Sequence, residues 1–170
     1  MAIAASDVRK ALSLFVDGKG YAGQVEDFNA PKLSLKVEDF RAGGMNTGID
    51  LDMGMEKMEV DFSLVQYSAD VLALFGVAAG SSVPLVAREA LESLDGTVTP
   101  VIHTMYGRIK QLDPGTSQSG NKTSLKVMMT LTYYKLQHGS RVVQEIDAVN
   151  MIHIIDGVDR LAQQRAALGI

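Results

Sequence analysis

Along most of this chain apolar and polar residues alternate with a period of two, the repeat of an extended strand with one face buried. Leu12, Leu14 and Val16 set the pattern. Asp17-Gly18-Lys19-Gly20 then supplies turn residues, residues 21–28 resume an extended pattern, and Pro31 interrupts it. Leu33, Leu35 and Val37 alternate with Ser34, Lys36 and Glu38. The clearest case follows, where Met58, Val60, Phe62 and Leu64 face one way and Glu59, Asp61 and Ser63 the other. That spacing predicts a half-buried strand, apolar side inward. Further extended segments are expected over residues 83–87, 98–110, 123–137 and 141–155, with a polar loop over 113–121 and a hairpin turn at His138-Gly139-Ser140.

Two stretches carry helical spacing instead. Ser68 is placed to cap a helix with Asp70 in its first turn and an apolar stripe of Val71, Leu72, Leu74 and Phe75, ending at Gly76. Residues 158–168 form the second, with Gly169 past its end. No internal repeat or linker divides the chain, so one domain over residues 1–170 is expected. Strands, helix, strands, helix in that order predict a mainly β fold: an antiparallel β-sandwich or barrel with a short internal helix and a C-terminal helix.

Composition narrows the function classes. With 46% hydrophobic and 21% charged residues among 170, the chain is no disordered segment. The absence of Cys excludes disulfides, thiolate metal sites and a cysteine nucleophile. A net charge of -4 argues against a general phosphate-binding surface. The longest strongly apolar run, residues 71–79, is far shorter than the ~20 residues a membrane span needs. One oddity remains: mean hydropathy is +0.09 although aromatics make up only 6% and Trp is absent. Either the core is unusually well filled with aliphatic and Met side chains, or apolar surface meets other subunits.

The motifs that could carry chemistry fail on context. Gly18 to Gly23 fits G-x-G-x-x-G, but a dinucleotide site needs a helix N-terminus after the glycines, and here a strand and then Pro31 follow. In Gly115 to Thr123 the Lys of a phosphate loop is displaced by Asn121, and a strand follows. Asp50 to Gly54 resembles a calcium loop, but its Gly comes one place early and Met53 and Met55 are poor company for calcium. His103, His138 and His153 show no metal-ligand spacing. Glu56, Glu59 and Asp61 could be paired catalytic acids, but a solvated strand face accounts for Glu59 and Asp61 more simply. No serine sits in a nucleophile elbow. The expectation is a non-enzyme with no cofactor and no metal.

Three stretches carry a family resemblance. They are Leu14-Phe15-Val16-Asp17-Gly18; Pro31-Lys32-Leu33 with Lys36 to Met45 and Asp52-Met53-Gly54-Met55-Glu56; and Glu145-Ile146-Asp147 through Asn150-Met151 to Asp156-Gly157-Val158-Asp159-Arg160-Leu161 and Leu168-Gly169-Ile170. Tyr133 to Leu136 fits as well, and residues 78–100 fit least. In this order they resemble the major tail tube protein of contractile-tailed bacteriophages, the family that includes the tubes of R-type pyocins. The resemblance implies hexameric rings stacked into a hollow tube with a shared inner β-barrel, sheathed and driven through a target envelope. It also implies the partners: the chain itself, a tail sheath protein, baseplate or spike and tail terminator proteins, a tape measure protein in the lumen and passing DNA. No stable membrane or nucleotide binding is expected, and the place of action is a virion tail or tailocin made in the host cytoplasm. Edge strands left open by an antiparallel domain agree with this, since ring closure pairs them.

Within that reading two residue sets stand out. Residues 42–56 are expected to be a long loop between two strands that pair as a hairpin, reaching into the next ring; Gly43, Gly44, Met45, Asn46, Met53, Met55 and Glu56 would make the stacking contact. The lumen would be lined by the polar faces of three strands: Ser34, Lys36 and Glu38; Glu59, Asp61 and Ser63; and Ser124, Lys126, Thr130 and Thr132, with Lys36 near Glu59 or Asp61 and an acidic lean overall. The competing readings are a type VI secretion-like tube protein, a monomeric β-sandwich binding module and a nucleotide-dependent enzyme.

Overall fold

The structure, a computed structural model, describes residues 7–76, 78 and 80–170. Its elements in chain order are β1 (Val8–Val16), β2 (Lys19–Gly20), β3 (Val25–Asn29), β4 (Leu35–Phe40), β5 (Ile49–Met55), β6 (Met58–Leu64), α1 (Ala69–Ala73), β7 (Val83–Glu92), β8 (Val98–Asp113), β9 (Leu125–His138), β10 (Arg141–Asp147), β11 (Ile152–Ile155), β12 (Val158–Asp159) and α2 (Ala162–Leu168). The fold is mainly β with two short helices, as the alternation predicts, and every strand pairing is antiparallel. Among the described residues no helix is long and apolar enough to cross a membrane.

One large sheet runs β12-β11-β10-β9-β8-β7-β1-β2 and branches at β9. The first half of β9, from Leu125 to Leu131, pairs with β6, which in turn holds β3; the second half, from Tyr133, pairs with β10. β8 pairs with β9 on both sides of this change of partner, through bulges at Tyr106/Gly107 and Ile109/Gln111. The branch lets inward side chains of β6, β7, β8, β9 and β1 meet. Leu14, Val60, Phe62, Leu64, Leu85, Met105, Leu125, Val127 and Met129 are buried there, with Val71 of α1. Each such aliphatic or aromatic side chain contributes roughly 1.5–3 kcal/mol by leaving water.

Several expected boundaries move. Residues 42–56 are not one loop: Ile49–Met55 is strand β5, paired with β4, and only residues 41–48 turn between them. β6 pairs with β3 and β9 and not with the segment around Lys36. Ile49, Leu51 and Met53 do alternate with Asp50 and Asp52, but the surrounding glycines hide that pattern. The second helix starts later than residue 158, because Asp156 (φ 50°) and Gly157 (φ 81°) make a tight turn that pairs Val158 with Ile155. Residues 21–24 are a turn, closed by the Gln24 N–H donating to the Tyr21 carbonyl at 3.0 Å, so the strand begins only at Val25. Residues 141–155 split into β10 and β11 where Asp147 Oδ1 accepts from the Val149 and Asn150 N–H groups. The first helix is one short piece. Ser68 makes no capping bond there; its hydroxyl meets the Tyr21 hydroxyl at 3.1 Å instead.

Candidate assembly surfaces

β4 and β5 form a two-stranded sheet of their own, closed at its base by the bond from the Glu56 N–H to the Ser34 carbonyl, where Leu33 and Met55 pack against the core of the body. Register fixes its two faces. Asp39 lies opposite Asp50 and Val37 opposite Asp52, so one face is acidic. Phe40 opposite Ile49 and Glu38 opposite Leu51 form the other, where the alternation also places Met53. The extra residue between the pairs Val37↔Asp52 and Leu35↔Met55 is taken up at Gly54 (φ 95°), whose N–H bonds Asp52 Oδ1 at 2.8 Å. Leu35, Val37, Phe40, Ile49, Leu51 and Met53 are all exposed. Exposed apolar side chains grouped on one small hairpin with no core of its own have the character of an interaction surface.

Of the residues expected to make the stacking contact, Gly43, Gly44, Met45 and Asn46 lie in the turn, Met53 and Met55 in β5, and Glu56 just after it. Met45 folds back on the turn: the Ala42 N–H points at its sulfur at 3.2 Å and Arg41 Nε donates to its carbonyl at 3.4 Å.

The residues expected in the lumen divide. β6 and β9 are neighbours, so Glu59 lies opposite Thr130, Asp61 opposite Met128 and Ser63 opposite Lys126. Arg108, Gln111 and Asp113 of β8 continue the same rows. Ser124 precedes β9, and Thr132 sits at its bulge, donating to the Tyr106 carbonyl at 3.3 Å. Ser34, Lys36 and Glu38 lie elsewhere, before and within the detached hairpin, because their strand pairs with β5. Glu59 therefore finds other cations: Lys110 Nζ and Lys57 Nζ each at 2.9 Å, and their hydrogen bonds hold its carboxyl below the usual range. Asp61 accepts from Asn29 Nδ2 at 2.6 Å. Ser63 is buried, not on a wet face: it lies in the middle strand between Asp27 of β3 and Lys126 of β9, and a side chain that short is overtopped by longer neighbours. The acidic lean is also lost, since Asp27, Glu59, Asp61 and Asp113 share this region with Lys57, Arg108, Lys110 and Lys126.

Sequence reasoning missed a buried polar cluster. His103 of β8 places Nδ1 3.0 Å from the Tyr134 hydroxyl and Nε2 4.0 Å from Glu89 Oε2, which also accepts from Arg9 Nε at 2.9 Å. Phe28 stands edge-on to the imidazole. Burial holds His103 below its ordinary pKa, outweighing the Glu89 charge, and burial followed by that charge pushes Tyr134 up to about 12. Glu89 and His103 each occupy a position whose strand neighbours alternate outward, a pattern that places a polar residue inside without naming its partner.

A branched antiparallel body with open edges and a projecting acidic and apolar hairpin defines a structural subunit made to associate. The family profile of phage tail tube protein FII matches residues 8–169, and the chain belongs to that family. It is 31% identical over 165 residues to the tail tube protein of Escherichia phage P2, covering 95% of this chain and 96% of that one. To the major tail tube protein of Serratia phage KSP20 it is 30% identical over 150 residues, covering 87% and 86%. In fold it is similar to a chain of the PVC extracellular contractile injection system sheath–tube complex in the extended state, with a TM-score of 0.54, 10% identity and coverage of 75% and 88%. A chain of the anti-feeding prophage baseplate gives 0.55, 12% identity and coverage of 82% and 99%.

Proposed function

We propose that the chain, a structural tail tube protein, assembles as six-subunit rings stacked into the inner tube of a contractile tail. The observation that carries this is the match to phage tail tube proteins over nearly the whole of both chains. In this reading a head-to-tail contact between neighbouring subunits closes the ring, and strand edges covered by another copy no longer expose unpaired N–H and C=O groups to water. The β4–β5 hairpin reaches the next ring, its apolar face covered there and its turn at Gly43 to Asn46 fitted against that surface. Met53 and Met55 suit such a contact because Met side chains adapt to irregular surfaces.

The rows of β6, β9 and β8 supply the channel lining. Asp27, Glu59, Asp61 and Asp113 balance Lys57, Arg108, Lys110 and Lys126 there, and Glu59 is already held by two lysines. A balanced, internally paired lining offers a phosphate backbone few free cations, so DNA passes without release of counterions to hold it. Sheath, baseplate or spike, terminator and tape measure proteins are the remaining partners, in a virion tail or tailocin assembled from protein made in the host cytoplasm. Negative-stain microscopy of the purified protein at high concentration tests the reading. Rings or tubes of one inner width are expected; a protein that stays monomeric at every concentration overturns it.

A further inference from the structure

The hairpin has two open edges of its own, since neither β4 nor β5 pairs with any other strand among the described residues. A two-stranded sheet standing alone is at best marginally stable in water, and an open edge is a template for a third strand. The hairpin is also where the charge sits. Residues 35–56 hold Glu38, Asp39, Asp50, Asp52 and Glu56 against Lys36 and Arg41, a net -3 of the chain's -4. Asp50 and Asp52 make β5 the more acidic strand, and Asp39 directly opposite Asp50 adds repulsion that a nearby cation would relieve.

Among the described residues the body offers two open edges of useful length, those of β3 and β1. The outer edge of β3 carries Glu26, already paired with Lys122, and Asp27, and the strand has no cation of its own to meet this acidic hairpin. The edge of β1 differs. β2 covers only Phe15 and Val16, and the Leu14 carbonyl accepts the Tyr21 N–H, which leaves residues 8–13 without a strand among the described residues on the side away from β7. Those six residues are close in length to the seven of β5. Arg9 and Lys10 are exposed there; Arg9 already binds Glu89, and among the described residues no hydrogen bond or ion pair of the Lys10 side chain is seen. Ala11 and Ser13 are small enough for a strand to approach closely.

Resting on the reading of the chain as a tube subunit, we propose that β5 of one copy adds as a strand to the free edge of β1 in a second copy, bringing Asp50 and Asp52 beside Lys10 and Arg9. Main-chain bonds supply the affinity and the charge pairs the choice of edge, as in other cases of strand addition. The same lysine and the bulge beside it are also devices that protect an edge from pairing, so the experiment must separate the two roles.

Charge reversal does so. Lys10→Asp, and separately Asp50→Lys with Asp52→Lys, should each raise the concentration at which tubes pellet by about tenfold, which corresponds to about 1.4 kcal/mol. Combining all three substitutions should return the threshold towards that of the parent chain. All three positions are exposed, so circular dichroism of the unassembled variants should be unchanged. Because the chain has no Cys, a Lys10→Cys, Asp52→Cys variant gives a second reading: oxidation of tubes should produce a ladder of linked subunits. Unaltered thresholds with no ladder, or loss of assembly from Asp27→Lys on β3 in place of Lys10→Asp, would overturn the proposal. A parent chain that forms no tubes would instead sink the tube reading itself.

Discussion

Gly107 is the residue on which the branch of the sheet depends, and its replacement by Ala offers a sharp test. It lies in β8 at the bulge opposite Leu131, where β9 is about to exchange β6 for β10. A methyl group built there would sit 2.2 Å from the Thr130 carbonyl oxygen and 3.0 Å from both Cα and Cδ2 of Leu131. An ordinary contact between carbon and oxygen is roughly 1 Å longer than the first of these, and that neighbour is backbone, with no rotamer into which to retreat. The two central strands must therefore part. Overpacking typically costs about 1–3 kcal/mol, and a clash with backbone belongs at the upper end. At roughly 2–4 °C per kcal/mol for a chain of this size, about 3 kcal/mol lowers the melting temperature by about 6–12 °C. Thermal denaturation followed by circular dichroism, at a concentration where the subunits are dispersed, measures it. Gly43→Ala is the control, since nothing lies within 4 Å of its added methyl group. A Gly107→Ala melt within about 2 °C of the parent would show that the close approach is not what fixes this bulge.

Three further outcomes are expected. Tyr134→Phe keeps the ring but leaves His103 Nδ1 buried without its hydroxyl partner, so chemical denaturation should show a loss of about 1–3 kcal/mol; a loss under 0.5 kcal/mol would mean that water replaces the bond. His103 titrates below 6.5 because burial disfavours its charged form. Its folded pKa is depressed, so the unfolded chain takes up the proton first: the stability is present above 6.5 and is lost as pH falls through the folded value, and a histidine resonance titrating at or above 6.5 would show the Glu89 charge winning. Finally, Glu59→Cys and Asp61→Cys in assembled tubes should resist a thiol reagent too bulky for the lumen, and ready modification would place the β6 face on the outside.

How much of this was legible in the sequence depended on whether an element had a core behind it. Met58 to Leu64 read correctly because one face is buried, and β8 and β9 show the same alternation over much greater length. The partners of those strands were not legible. Nothing in the spacing of residues 123–137 says that β9 serves β6 with one half and β10 with the other, because alternation records a face and not a neighbour. The lumen assignment inherited that limit. Glu59 and Asp61 were placed on one strand face, but the cations beside Glu59 came from Lys57 at the strand's start and from Lys110 of β8, not from Lys36. Ser63 shows the same failure at one residue: alternation makes it outward, while the lengths of its lateral neighbours bury it.

The hairpin was the larger miss, and its cause bears on function. In β4 every residue is exposed, and in β5 only Met55 is half-buried, so no buried stripe distinguishes either strand from a loop. Hydrophobic patterning is visible only when the chain itself supplies the other side of the contact. Where a second molecule supplies it, apolar residues stand on both faces among acids and glycines, and the segment resembles an irregular loop with stray calcium-like spacing. The two readings differ in what they predict for the separate chain. A loop would carry no net preference for strand, whereas Ile49, Leu51 and Met53 against Asp50 and Asp52 hold a register with one apolar and one acidic face. A segment with strand periodicity, no core and most of the chain's net charge is thus informative because it is poorly satisfied on its own. On the proposed reading of a stacked tube, that unsatisfied hairpin is the part whose physics the next copy completes.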